Sequence, residues 1–122
     1  MKIRIKGNSV RLRLTQTEVD QLLENGEVQE QTSFPNATLD YRIQLSDSNI
    51  ITISFTDSKI TILIPEDQGV AWCKSDEVGL ENWIPVGKEE DLRILIEKDF
   101  ACLTVRPHED ESDMFPNPNT TC

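Results

Sequence analysis

Histidine occurs once in the 122 residues, at His108, and glycine only five times. Each scarcity removes a class of chemistry. A single imidazole leaves Cys102 with His108 as the only opening for a histidine-assisted thiol nucleophile, and a small core cysteine is the plainer reading of Cys102. The glycines form no phosphate-cradling or dinucleotide fingerprint, and no nucleophile elbow occurs. No cofactor is expected. The three cysteines, Cys73, Cys102 and Cys122, are widely spaced and odd in number. That argues against a disulfide framework or a Cys-x-x-Cys zinc pair, and for free thiols in a reducing compartment. No apolar run approaches the roughly 18–20 residues that span a bilayer. The opening Met1-Lys2-Ile3-Arg4-Ile5-Lys6 lacks the continuous apolar segment of a secretory signal. A soluble, cytoplasmic protein without a membrane partner is expected.

Basic side chains are also scarce: 12 against 22 acids, for a net charge of -10. Such a field disfavours nucleic acid and anionic membranes and favours solubility. The cations that exist are concentrated, because Lys2, Arg4, Lys6, Arg11 and Arg13 all precede the first acid. A local anion site therefore stays open within an acidic protein.

What the sequence does have is alternation. Ile51, Ile53 and Phe55 alternate with Thr52, Ser54 and Thr56, and Ile60, Ile62 and Ile64 follow a break at Asp57-Ser58. This is the pattern of a central antiparallel hairpin closed by Pro65. Residues 2–14 alternate around Gly7-Asn8 in the same way, predicting a hairpin with one apolar and one basic face. Thr15-Gln16-Thr17-Glu18 matches a capping box, with Leu14 and Val19 as hydrophobic staple and Asn25-Gly26 as stop. A helix over 16–25 is predicted. Residues 28–34 read as an edge strand and 39–45 as a half-buried one. From 66 to 91 periodicity fades, which predicts a long excursion with one helical turn near 75–78. Residues 92–97 and 100–105 read as a second apolar hairpin around Lys98-Asp99. No internal repeat is visible.

These elements predict a single α+β domain over 1–106, mainly antiparallel, with seven or eight strands and one capped helix after the first hairpin. Partial closure toward a barrel is an open alternative. The core is expected to include Ile3, Ile5, Leu12, Leu14, Leu22, Ile43, Ile51, Ile53, Phe55, Ile60, Ile62, Ile94, Ile96 and Leu103. Residues 107–122 form an acidic, proline-rich tail of disordered composition.

The opening KIRIKGNSVRLRLTQTEV, with the later Glu97-Lys98-Asp99-Phe100-Ala101-Cys102-Leu103 and Phe115-Pro116-Asn117-Pro118, resembles a family of small uncharacterised bacterial proteins. The resemblance implies a bacterial setting and brings no activity or site residues.

Three sets of residues are candidates for function. Lys2, Arg4, Lys6, Arg11 and Arg13 form a basic face suited to a phosphate or carboxylate. Its plainer reading is a solvated face, or cross-strand pairing with acids such as Asp40 and Glu30. A triphosphate-processing tunnel enzyme is disfavoured, because its opening glutamates are here Lys2, Arg4 and Lys6. Trp72 and Trp83 lie in the aperiodic segment and could stack on a ligand, or simply plug one end of a sheet. His108, Glu109, Asp110 and Asp113 could hold a divalent cation, although they match no established metal spacing. The leading expectation is a small binding or interaction protein without catalytic activity, its partner a protein or small anionic ligand and not nucleic acid. The alternative is a metal-assisted hydrolase using the tail carboxylates and His108.

Overall fold

A computed structural model describes residues 1–100 and 112–116. Eight strands and two helices follow in the order β1 (Lys2–Lys6), β2 (Ser9–Leu14), α1 (Gln16–Asn25), β3 (Glu27–Ser33), β4 (Thr38–Ser46), β5 (Thr52–Thr56), β6 (Lys59–Pro65), α2 (Glu66–Lys74), β7 (Gly79–Pro85) and β8 (Asp91–Lys98). They form two four-stranded sheets. Sheet A has the order β1-β2-β8-β7 and sheet B the order β3-β4-β6-β5. Each sheet consists of two antiparallel hairpins joined through a parallel central pair, β2 with β8 and β4 with β6. Among the described residues neither sheet closes into a barrel.

Local chemistry accounts for the well-marked elements. Gly7 takes a φ of 54°, which suits a type II′ turn, whereas Asp57 and Ser58 both go left-handed, at 51° and 61°, as a type I′ turn demands. Helix α1 has the expected capping box: Glu18 N–H donates to Thr15 Oγ1, and Glu18 Oε1 accepts from Thr15 N–H at 3.0 Å. Its far end closes on Gly26, at φ 75°, whose N–H donates to the Leu22 carbonyl.

Residues 66–91 are not an excursion. They hold a second helix, α2, and an edge strand, β7. The helix was illegible because its start carries no polar cap, Pro65 standing at the N-cap with no side-chain bond, and because Gly69 interrupts the middle. Gly69 is there for packing. A Cβ at that position would lie 2.3 Å from Leu45 Cδ2 and 3.2 Å from Ile64 Cγ2. The anticipated turn at Lys98-Asp99 is likewise absent, since Lys98 N–H donates to Val78 O and Asp99 N–H to Leu14 O. The hairpin partner of β8 is β7; residues 101–105 lie outside the described residues.

One apolar cluster unites the two sheets and both helices. Leu12, Leu14, Leu22, Ile43, Ile51, Ile60, Ile62, Ile94 and Ile96 are buried in it, as expected, while Ile3 and Ile53 pack partly against it. Ile5 and Phe55 are not core residues, being 61% and 71% exposed. Both lie on outer strands, β1 and β5, one residue short of the hairpin turn. Leu103 lies outside the described residues. Trp72, Ile64, Val28, Tyr41, Leu80, Val10, Val19 and Met114 are buried as well.

The architecture is an internal duplication. Residues 2–46 and 52–98 each run strand-strand-helix-strand-strand, and each gives its first hairpin to one sheet and its second to the other. The registers superpose. Ile3↔Leu12 in β1-β2 becomes Ile53↔Ile62 in β5-β6, a shift of 50. Leu12↔Ile96 in β2-β8 corresponds to Ile62↔Ile43 in β6-β4. Isolated bonds repeat as well: Arg93 N–H reaches Asn8 O at one turn, and Asp40 N–H reaches Ser58 O at the other. At the two lateral seams, Met1 pairs with Glu30, and Asn82 Nδ2 donates to Ile51 O. The repeat escaped detection because only its apolar alternation is shared. Across 2–25 and 52–75, Ile3 and Ile53 are the sole identity.

A basic outer face as candidate functional site

Strand alternation sends residues 2, 4 and 6 of β1 and 9, 11 and 13 of β2 to the side of sheet A away from the core. Register then sets three rows across the sheet: Lys6-Ser9-Arg93-Trp83, Arg4-Arg11-Leu95-Glu81 and Lys2-Arg13-Glu97-Gly79. The five cations anticipated from the sequence thus share one face, and Arg93 joins them.

Two hollows mark this face. One is lined by Arg4, Lys6, Ser9, Arg11, Arg93 and Leu95; the other by Lys2, Ile3, Arg4, Arg11 and Arg13. Arg4 and Arg11, direct cross-strand neighbours, belong to both. Like charges opposite one another destabilise a ladder unless an anion intervenes. Part of the charge is neutralised internally. Arg11 Nε lies 3.0 Å from Glu97 Oε1, Arg13 Nε lies 3.9 Å from the same oxygen, and Lys2 Nζ lies 3.3 Å from Asp99 Oδ2. Arg4 and Lys6 make no ion pair among the described residues. The acids foreseen as partners are used elsewhere. Asp40 binds Arg42, and Glu30 binds the Met1 amine.

The tryptophans separate. Trp83 stands on edge strand β7, 53% exposed, with the Arg93 guanidinium 5.7 Å from its ring centre. Glu81 Oε2 fixes that guanidinium at 2.5 Å. An aromatic surface and the basic hollow therefore share Arg93. Trp72 is wholly buried on α2, at the position equivalent to Leu22 on α1, and offers no ring face to a ligand. Its carbonyl accepts from Lys98 Nζ at 3.1 Å, and the ammonium lies 5.3 Å from the ring centre. Lys98 thereby caps the end of α2.

Of the tail residues proposed for metal, His108, Glu109 and Asp110 lie outside the described residues. Asp113 caps α1: its Oδ1 accepts from Thr17 N–H and Oγ1 at 3.2 and 2.9 Å, and its carbonyl from Gln16 N–H. No cluster of metal-ligating side chains occurs among the described residues. Cys73 is a free thiol; burial pushes it up, against the pull of Lys98. Cys102 and Cys122 lie outside the described residues.

The outer face of sheet B is different. Its rows read Thr56-Lys59-Asp40-Gln31, Ser54-Thr61-Arg42-Gln29 and Thr52-Leu63-Gln44-Glu27. Asp40, 4% exposed, accepts from Gln31 at 3.1 Å, from Arg42 at 3.0 Å and from Gln29. Burial alone would raise the Asp40 carboxyl, but these bonds hold it below the ordinary carboxylate value. Arg42 and Gln44 also reach Glu27. This network is self-contained.

Arg93 and Leu95 were missed as site residues, because only the parallel register of β8 against β2 brings them beside the first hairpin; Ser9 lies in that hairpin itself, opposite Lys6. Fold and surface together define a duplicated two-sheet α+β protein with one basic outer face. The chain belongs to a family of unknown function (DUF7009), matched over residues 1–119. No curated protein and no solved structure matches it.

Proposed function

We propose that this protein is a non-catalytic binding module, acting in a bacterial cytoplasm, whose sheet A outer face takes a phosphate or carboxylate group of a small ligand or partner protein. One observation carries the reading. Lys2, Arg4, Lys6, Arg11 and Arg13 are matched in the other half by Thr52, Ser54, Thr56, Thr61 and Leu63. The same backbone, register and packing are thus built without those cations, so the fold does not need them. Arg4 and Lys6 hold their charge toward solvent, and facing guanidiniums at Arg4 and Arg11 present paired donors for an oxyanion. The hollows are open to solvent, which suits a group carried on a larger partner. Nucleic acid is disfavoured by the acidic remainder of the chain.

The test is thermal melting in phosphate against chloride at matched ionic strength. A ligand binding only the folded state at ten times its Kd contributes about 1.4 kcal/mol, or roughly 5–6 °C for a domain of this size. Phosphate is expected to raise Tm in the wild type and much less in Arg4→Gln. Equal melting in the two anions would remove the anion site.

A further inference from the structure

Strand β1 is an outer strand of sheet A, paired on one side with β2 and on the other with no strand among the described residues. Lys6 and Ser9 flank its two-residue turn. In such a hairpin the flanking residues exchange both backbone bonds, and alternate residues do so along the ladder. Lys2, Arg4 and Lys6 therefore bond to β2, leaving the N–H and C=O groups of Ile3 and Ile5 aimed at the edge that no described strand covers. Open edges are commonly blunted by charge, which deters copies of the same chain. That is so here: a second β1 would set cations opposite cations. For a strand of opposite charge the same residues are attractive.

We propose that the β1 edge accepts an extended peptide segment of alternating acidic and apolar residues, added as a fifth strand of sheet A. The segment is one of a partner protein, and the inference rests on the anion-binding reading of the same face. Two complementarities specify it. Side chains on one face of a strand recur about every 6.8 Å, so acids at alternate positions would stand beside Lys2, Arg4 and Lys6 in register. The intervening apolar residues would lie beside Ile3 and the 61% exposed Ile5, extending the core under the new strand. Backbone bonds to Ile3 and Ile5 supply sequence-independent affinity, and the alternation supplies selectivity. The equivalent edge strand β5 also exposes an apolar residue, Phe55, but presents Thr52, Ser54 and Thr56 in place of the cations. It lacks the charge half of the code.

The probe is a short, end-blocked peptide of alternating glutamate and valine, followed by calorimetry and amide hydrogen exchange. Saturating peptide is expected to slow exchange at Ile3 and Ile5 by about tenfold or more, leaving Ile53 and Phe55 unchanged. Arg4→Glu is expected to weaken binding at least about tenfold, as like charges then oppose, and Lys6→Gln to weaken it less. The deciding arm is backbone N-methylation of the peptide. Methylating one alternate set of residues should abolish binding while methylating the other should not, because only one set faces β1. Equal tolerance of both sets would overturn strand addition while leaving the anion site standing. So would binding of phosphate without the peptide. Failure of both phosphate and peptide would remove the two readings together.

Discussion

The two halves of this chain agree inside and disagree outside. Within the core, Val10, Leu12 and Leu14 of the first half match Ile60, Ile62 and Ile64 of the second, all buried. On the outer faces, the sheet B network closes on itself around Asp40 and Arg42. Sheet A leaves Arg4 facing Arg11, with Arg93 where sheet B has Asp40. A duplicated fold supplies its own control. Features kept in both halves are what the fold requires, and features present in one half are ones the fold does without in the other.

The comparison is broken most forcefully at the two helix plugs. Trp72 and Leu22 fill equivalent sites, both fully buried. Trp72→Ala should cost about 3–5 kcal/mol and Leu22→Ala about 2–5, measured by urea unfolding. If Trp72→Ala is nearly neutral, the second helix is not packed as described, and the equivalence of the halves fails. The helix starts should differ instead. Thr15 caps α1 with its side chain, whereas Pro65 gives α2 none. Thr15→Ala is expected to cost about 0.5–2 kcal/mol, and an unchanged denaturation midpoint would contradict the capping box. The smallest effect concerns the closed network. Because the folded Asp40 carboxyl titrates below its unfolded value, its contribution is present above about pH 4 and is lost as pH falls through the folded pKa. The stability gap between wild type and Asp40→Asn should therefore narrow on acidification from pH 5 to 2. A constant gap would show that Asp40 acts through packing alone.

Much of this was legible in residue order. Strict alternation with turn residues located β1 and β2, β5 and β6, and β4, and the Thr15–Glu18 box located α1. What stayed hidden was whatever depended on distant partners. Helix α2 needed knowledge that Leu45 and Ile64 pack against Gly69, and the stretch that holds it shows no periodicity of its own. Lys98 looked like a turn residue, because burial of an ammonium against Trp72 and two carbonyls cannot be inferred from neighbours in sequence. The cluster of five cations was visible from the start. Arg93 and Trp83 joined it only through the parallel pairing of β2 with β8, which no local pattern encodes.

The most direct measurement follows backbone amide shifts by NMR during a phosphate titration at constant ionic strength. Both outer faces are then read in one experiment. Amides of Arg4, Lys6, Ser9, Arg11 and Arg93 are expected to move saturably, while those of Ser54, Thr56, Lys59, Thr61 and Asp40 stay fixed. Movement on neither face, or equal unsaturable drift on both, would contradict a site built on one of the two sheets of a duplicated fold.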